Sequence, residues 1–158
     1  MNIVIWWDHQ LMDFCLKVGS EVETLFKYII RTEKFKDRTK NDEKSINRYG
    51  VIIESVYHLS EYEIIVNPIK KKIKPFKWIE NENGTITLEW FKIYSEYKHD
   101  KLYLIDKWNL KHSLNALGCL FLLVINHPTL DGKIFYLKNF ETDLFNLAGS
   151  NQDYFIFD

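Results

Sequence analysis

The ionisable residues best suited to chemistry stand together in one short run, Lys98-His99-Asp100-Lys101. Because imidazole changes its charge near neutral pH, a lysine beside a histidine can bind a phosphate group or move a proton. We therefore treat His99, Lys98 and Asp100 as catalytic candidates and Lys101 as a binding candidate. A simpler interpretation needs no chemistry, because the last carbonyl groups of a helix carry partial negative charge and favour cations nearby.

Three aromatic residues precede this run at helical spacing, Trp90, Tyr94 and Tyr97. Residues spaced three or four apart share one face of a helix. Aromatic side chains at such a face serve protein cores and interfaces alike. The two tyrosines are therefore candidates for binding as well as for the core.

Glu21 is a further binding candidate, at the edge of the apolar stripe of the first predicted helix. A buried carboxylate there would need a partner, which Lys98 or His99 could supply. The alternative is an exposed carboxylate that reaches water. Other polar residues that could enter a helical interior are Asn109, His112 and Asn115.

Other classes of site find little support. No two histidines lie three or four residues apart and there is no Cys-x-x-Cys, so we expect no metal. There is no Gly-x-Ser-x-Gly and no glycine-rich phosphate loop, so we expect no cofactor. Cys15 and Cys119 lie in apolar patterns, which indicates buried, reduced thiols. One local basic cluster stands out, Lys70, Lys71, Lys72 and Lys74.

The formal net charge of −1 gives no overall electrostatic drive towards nucleic acid or anionic lipid. A chain of 158 residues predicts a single domain, 1–158. The longest apolar run, Leu117–Ile125, is far shorter than the roughly 20 residues of a membrane span. The N-terminus lacks the pattern of a signal peptide. We expect a cytoplasmic protein with no membrane partner.

Four stretches have the apolar periodicity of helices. We predict helices at about 11–30, 42–60, 88–98 and 107–126, the second capped by Asn41 or Asp42 and the last ended by Pro128. The apolar stripe of the last helix is expected to contain Leu110, Leu114, Leu117, Phe121 and Val124.

The segment between the second and third helices has a different pattern. Tyr62–Val66 is rich in β-branched residues and predicts a strand. Asn83-Gly84 is a strong turn signal, after which 85–88 could complete a hairpin. Beyond Pro128, short apolar runs at 134–137 and 154–157 alternate with polar residues. The predicted class is mainly α: a four-helix bundle-like single domain with a helical core at about 8–126, a small β or extended insertion, and a non-helical tail at 127–158.

Several motifs occur together along residues 8–126. They are Ser20-Glu21-Val22-Glu23-x-x-Phe26-Lys27, Ile46-Asn47-x-Tyr49, Pro75-Phe76-Lys77-Trp78, Trp90-x-x-x-Tyr94-x-x-x-Lys98-His99-Asp100-Lys101 and Asn109-x-x-x-Ser113-x-x-Ala116-Leu117-x-x-Leu120-Phe121. This combination resembles uncharacterised bacterial helical proteins that carry a Lys-His-Asp-Arg run ahead of their last long helix. More loosely, it resembles the HEPN-type four-helix domains.

HEPN domains occur in toxin–antitoxin and anti-phage systems, and many are dimeric, metal-independent ribonucleases with an Arg-x(4–6)-His motif. The resemblance therefore implies a bacterial defence protein that binds or cleaves RNA, with a homodimer as a further expectation. The chain departs from that motif, because none of Arg31, Arg38 and Arg48 has a histidine at the required distance. Lys101 also stands where the resembling proteins have arginine. Whether the protein is an enzyme stays open.

Two other functions fit the same sequence. The first is a non-enzymatic interaction protein, such as an immunity or antitoxin-like partner, which the aromatic content of 16% would suit. The second is a structural domain in which the Lys98–Lys101 run only ties helices together.

Overall fold

The computed structural model describes residues 3–31, 46–82, 86–99, 107–126 and 144–147. These residues form the helices α1 (Ile3–Ile30), α2 (Ile46–Tyr57), α3 (Glu89–His99) and α4 (Leu110–Ile125). They also form the strands β1 (Ile64–Val66), β2 (Lys71–Ile73), β3 (Trp78–Glu80), β4 (Ile86–Leu88) and β5 (Phe145–Leu147). The predominantly helical class is confirmed, and the strands build small antiparallel sheets.

The long helix α1 is the centre of the fold, because it contacts α2, α3 and α4. Its buried side chains recur at steps of one to four residues and comprise Met12, Cys15, Val18, Val22, Phe26, Ile29 and Ile30. The helix begins at Ile3, well before the position expected from the apolar stripe. No proline or glycine interrupts residues 3–18. An established helix can therefore extend backwards at little cost.

Helix α2 ends at Tyr57, three residues before its predicted end. His58 adopts a left-handed conformation with φ 47°, which stops the helical hydrogen-bond pattern. A single 3-10 turn, Leu59–Glu61, follows and buries Leu59. Because Leu59 is buried, the apolar stripe of α2 continues in the sequence beyond the true end of the helix. The predicted caps Asn41 and Asp42 lie outside the described residues.

Helix α4 is capped by Asn109, whose side-chain oxygen accepts a hydrogen bond from the His112 backbone N–H at 3.1 Å. The apolar face predicted for this helix is partly wrong, because Leu110 and Val124 are 64% and 39% exposed. The helix is apolar on nearly every side, so periodicity alone could not select the buried face. That face includes His112, Ser113, Ala116, Cys119, Leu122 and Leu123.

The strands form two small sheets. Strand β1 lies between β2 and β5, with Ile64 opposite Ile73 on one side and Leu147 on the other. Strands β3 and β4 pair as an antiparallel hairpin, as the turn signal predicted. Strand β1 is shorter than the predicted segment, because Tyr62 follows the 3-10 turn as its extended cap. Of the predicted tail, only residues 144–147 are described, and the apolar runs at 134–137 and 154–157 lie outside them.

One hydrophobic core joins the helices to the sheets. Gly118 of α4 makes this possible, because a Cβ atom there would lie 2.6 Å from Pro75 and 2.7 Å from Ile64. The absence of a side chain therefore lets α4 approach β1 and the chain beyond β2. Within the described part, no helix has the length and apolar character needed to cross a membrane.

Candidate functional site

Helix α3 carries the central candidates and places its aromatic residues in the core. Trp90, Phe91, Tyr94 and Tyr97 are all buried, which confirms that the spaced aromatics share an inward face. Aromatic ring centroids lie 5.1 Å apart for Phe91 and Tyr94 and 6.5 Å apart for Trp90 and Tyr94. The rings of Tyr94 and Tyr97 are thus part of the packing, and the binding role predicted for them stays a prediction.

Tyr94 fixes the position of α3 against α1. A Cβ atom at Gly19 would lie only 2.5 Å from the Tyr94 ring, so the ring occupies the space that any other residue would fill. One turn further along α1, Glu23 accepts a hydrogen bond from the Tyr94 hydroxyl at 3.3 Å. Gly19 therefore leaves room for the Tyr94 ring, and Glu23, four residues later, binds the Tyr94 hydroxyl.

Lys98 joins the same carboxylate. Its Nζ atom lies 2.9 Å from Oε2 of Glu23 and 5.2 Å from the centroid of the Tyr94 ring. Lys27, one turn after Glu23, donates to the other carboxylate oxygen at 2.7 Å. The carboxylate thus receives two ammonium groups and a hydroxyl. We call these four residues (Glu23, Lys27, Tyr94 and Lys98) the Glu23 cluster.

The charges of the Glu23 cluster stabilise one another. Partial burial alone would raise the pKa of Glu23, but the hydrogen bonds and charges of Lys27 and Lys98 outweigh it and lower that pKa. The hydrogen bond to Glu23 is the main reason why the pKa of Lys98 is raised. Burial, more than any charge, raises the pKa of Tyr94. The cluster therefore holds an ionised pair beside a neutral phenol.

For Glu21 the sequence left two alternatives, a pairing with the Lys-His run or an exposed carboxylate that reaches water, and the structure has the second. Glu21 is exposed, and the carboxylate that meets Lys98 belongs to Glu23. At 100° per residue, Glu23 lies about 40° from Gly19 around the helix, whereas Glu21 lies about 160° away. Only Glu23 shares the face on which Tyr94 packs. The apolar stripe correctly located the edge of the apolar face of α1. Which carboxylate meets Lys98 depends on Gly19, the small residue against which α3 packs.

His99 is the last residue of α3 and is exposed. Lys98 is held against α1, so the imidazole is the free group at this end of the helix within the described part of the chain. Asp100 and Lys101 lie outside the described residues. The structure therefore brings Lys98 and Tyr94 together, leaves His99 exposed as the next residue of the chain, and leaves Glu21 and Tyr97 out of the cluster.

A second polar cluster lies where the N-termini of α3 and α4 meet. Glu89 accepts a hydrogen bond from Lys111 at 3.3 Å, and its other oxygen lies 3.8 Å from Nε2 of His112. The Lys111 hydrogen bond is the main reason why the pKa of Glu89 is lowered. The sequence correctly marked His112 as an interior polar residue, since its side chain is buried. Its Nδ1 has no hydrogen-bond partner in the described residues.

A third cluster was missed from sequence. Glu54, in the last turn of α2, accepts hydrogen bonds from the Ser60 backbone N–H at 3.2 Å and from the Trp78 indole N–H at 2.6 Å. A carboxylate near a helix C-terminus faces like partial charge and is disfavoured without partners. The position of Glu54 near a helix C-terminus was therefore the one sequence signal that could have pointed to this cluster. The cluster ties α2 to the following 3-10 turn and to β3, which is a structural task.

Within its described residues, the structure offers no group of side chains suited to metal binding and no reactive thiol. Among the residues described, no three His, Cys, Asp or Glu side chains converge as they would around a metal ion. Cys15 and Cys119 are free and buried, as their apolar settings indicated. Burial raises the pKa of both thiols, which keeps them protonated.

Comparisons of the chain with protein-family models, with curated proteins and with solved structures find no match. The case for a function therefore rests on the residues themselves, and most directly on the Glu23 cluster with His99 beside it.

Proposed function

We propose that this chain is a HEPN-like helical module that binds RNA in a bacterial defence or toxin–antitoxin setting. The observation that carries the proposal is the position of His99, exposed at the end of a helix whose preceding residue is held by Glu23 and Tyr94. A fixed lysine followed by a free imidazole presents donors that can hydrogen-bond a phosphate oxygen.

The helical arrangement supports the proposal. Helix α1 contacts the other three helices, and the Lys-His run lies ahead of α4. We infer that these helices form the bundle-like core expected from the HEPN resemblance. The sheets would then be additions between α2 and α3 and after α4.

Binding is proposed in preference to cleavage. The ion pair with Glu23 engages Lys98, which leaves a single imidazole as the proton-transfer candidate among the described residues of this surface. RNA cleavage by acid–base chemistry needs one group to take a proton and another to supply one. A binding role needs only the donors that the surface already presents.

The first prediction tests His99. We expect His99→Asn to weaken binding of a fluorescein-labelled oligoribonucleotide about tenfold, measured by fluorescence anisotropy, because the amide is shorter than the imidazole and cannot take up a proton to meet a phosphate charge. Far-UV circular dichroism should not change, since His99 is exposed. The matched control is His58→Asn, which removes another exposed imidazole and suits the left-handed φ of 47° at that position.

Three results decide the question. Loss of RNA binding in the His99 variant alone supports the proposal. Equal binding by both variants, or no RNA binding by the unaltered protein, contradicts it. Cleavage of the labelled RNA on a gel, lost in the His99 variant, would extend the role from binding to catalysis.

A second candidate function is the interaction protein, which would use exposed apolar side chains as its contact surface. Tyr28, Ile69 and Leu110 are 50%, 58% and 64% exposed. Scattered exposed residues are normal, whereas a contiguous apolar patch marks an interface. A stable complex with the product of a neighbouring gene, lost on Leu110→Ser, would favour this function, and unchanged RNA binding in that variant would separate the two.

A further inference from the structure

A dense run of like charges in the described chain is formed by the lysines on β2 and the turns beside it. Five lysines occur between Ile64 and Ile79, and this interval contains no acidic residue. They are Lys70, Lys71, Lys72, Lys74 and Lys77, and all are exposed. We call them the lysine strip. The net charge of −1 for the whole chain hides this local excess of positive charge.

The lysine strip lies on a sheet edge. In the described part of the chain β2 pairs only with β1, so its other side has no neighbouring strand. Successive residues of a strand point to opposite faces, so Lys71 and Lys72 extend on both sides of the edge. Both lysines are exposed, so this edge carries charge on either side.

Lys70 occupies a conformation that lysine does not prefer. It follows the 3-10 turn Asn67–Ile69 with φ 49°, in the left-handed region that favours glycine or asparagine. Its charge therefore stands at a position where another residue would relieve strain. A lysine in this strained conformation points to a role for its charge that can be tested.

An aromatic surface ends the strip. Trp78 follows Lys77 directly and is only partly buried. Its ring centroid lies 5.5 Å from that of Phe76, and its indole N–H is held by Glu54, so the ring is fixed in place. Lysines that adjoin a fixed, partly exposed aromatic residue in the chain are a combination found on surfaces that bind single-stranded nucleic acid, where bases stack and phosphates meet cations.

We propose that the lysine strip binds the phosphate backbone of single-stranded RNA, with Trp78 offering a stacking surface at its end. This inference rests on the proposed function, since RNA is the partner named there, and it assigns a second contact surface away from His99. Lysines also protect exposed sheet edges from pairing with other chains. Edge protection accounts for Lys71 and Lys72 but not for charge that continues to Lys77.

An acidic peptide added as a strand is the competing partner. Such a peptide would need unpaired backbone groups along the edge. Pro75 has no N–H and interrupts that edge directly after Lys74, whereas the charge continues beyond it. A flexible polyanion can follow the lysines past the proline, which is why RNA fits the strip better than a peptide strand does.

The test compares two triple variants that remove the same charge. Lys71→Gln/Lys72→Gln/Lys74→Gln neutralises the strip, and Lys17→Gln/Lys92→Gln/Lys107→Gln neutralises three other exposed lysines. We expect the strip variant to bind a fluorescein-labelled oligouridine at least about tenfold more weakly, and the control variant to bind like the unaltered protein. The salt dependence should also fall, by about 2 in the slope of log K against log salt.

A single substitution separates binding from stability. Lys70→Gly relieves the left-handed strain, so its Tm should equal or exceed that of the unaltered protein. If the lysine acts on RNA, the same variant should bind oligouridine several-fold more weakly. Oligouridine binding equal to that of the unaltered protein would overturn the assignment of Lys70.

The outcomes distinguish this inference from the proposed function. If the unaltered protein binds oligouridine but both triple variants bind equally well, the strip is overturned and the His99 proposal stands. If the unaltered protein binds no RNA, the lysine strip inference and the His99 proposal are both overturned. If a polyglutamate peptide of equal charge displaces oligouridine as effectively as unlabelled oligouridine does, the partner is an acidic protein and the RNA assignment is overturned.

Discussion

At the scale of single residues, Glu23 does most to define the candidate site. It draws Lys98, Lys27 and the Tyr94 hydroxyl to one carboxylate, although its side chain is still 22% exposed. Partly exposed ion pairs are individually weak, but a shared carboxylate orders several side chains together. The cluster therefore contributes more to orienting the end of α3 than to overall stability.

The pH dependence of stability tests this view. We expect Glu23→Gln to lower the free energy of unfolding by about 1 kcal/mol at neutral pH. Because the folded chain lowers the pKa of Glu23 from its ordinary 4.5, this contribution is present above that value. It is lost as the pH falls through the folded-state pKa. Urea unfolding across the acid range should show the two proteins converging.

The control for this experiment is Glu21→Gln, two residues earlier on the same helix. Glu21 is exposed and lies outside the cluster, so its variant should match the unaltered protein at every pH. A difference for Glu23→Gln that persists unchanged into acid, or an equal effect of Glu21→Gln, would contradict the assignment.

At the scale of elements, the crossing of α1 and α3 depends on the smallest residue at the contact. Glycine inside a helix normally costs about 1 kcal/mol relative to alanine. At Gly19 the sign should reverse, because an added Cβ would lie 2.5 Å from the Tyr94 ring. The helix accepts a poor helix former there since the ring of α3 needs the space.

Gly19→Ala should therefore destabilise the protein, by about 1–3 kcal/mol, in spite of its better helix propensity. Thermal or urea unfolding measures the change. Ser20→Ala is the matched control, because Ser20 is exposed and its side chain lies away from Tyr94. In a Tyr94→Leu background the cost of Gly19→Ala should shrink. An undiminished cost there would mean that the ring is not the obstacle.

At the scale of the whole molecule, helices and sheets share one hydrophobic core. Phe76 shows this best: it belongs to the segment between β2 and β3, yet its ring meets Phe26 of α1 edge-on with a centroid distance of 6.2 Å. A side chain that joins both parts makes their unfolding interdependent.

Phe76→Ala should accordingly cost about 3–5 kcal/mol and lower the transition of the whole protein. Circular dichroism, which reports the helices, and tryptophan fluorescence, which reports several elements, should give the same midpoint. Phe14→Ala is the control, because Phe14 is already 37% exposed and should cost much less. Separate midpoints for the two probes would show that the protein does not unfold as one unit.

Much of the fold followed from local pattern. The stripe from Leu11 to Ile30 and the spacing of Trp90, Tyr94 and Tyr97 predicted inward faces that the structure has, except that Phe14 of the stripe is 37% exposed. The buried face of α4 was not predictable in the same way, since its sequence is apolar on nearly every side. The end of α2 was misplaced because the left-handed His58 leaves no strong signal in the sequence.

The candidate site likewise has features that local sequence predicts and features that it does not. The sequence by itself determined that helices form here, that aromatic rings face inward, and that Lys98 and His99 end α3, because periodicity and terminal charge are local properties. Only the tertiary structure decided that Lys98 meets Glu23 instead of Glu21, that Glu54 holds Trp78, and that the lysines lie on a sheet edge. Those contacts join residues that are distant in sequence. They form because α3 packs closely on α1 at Gly19 and because short strands pair with one another.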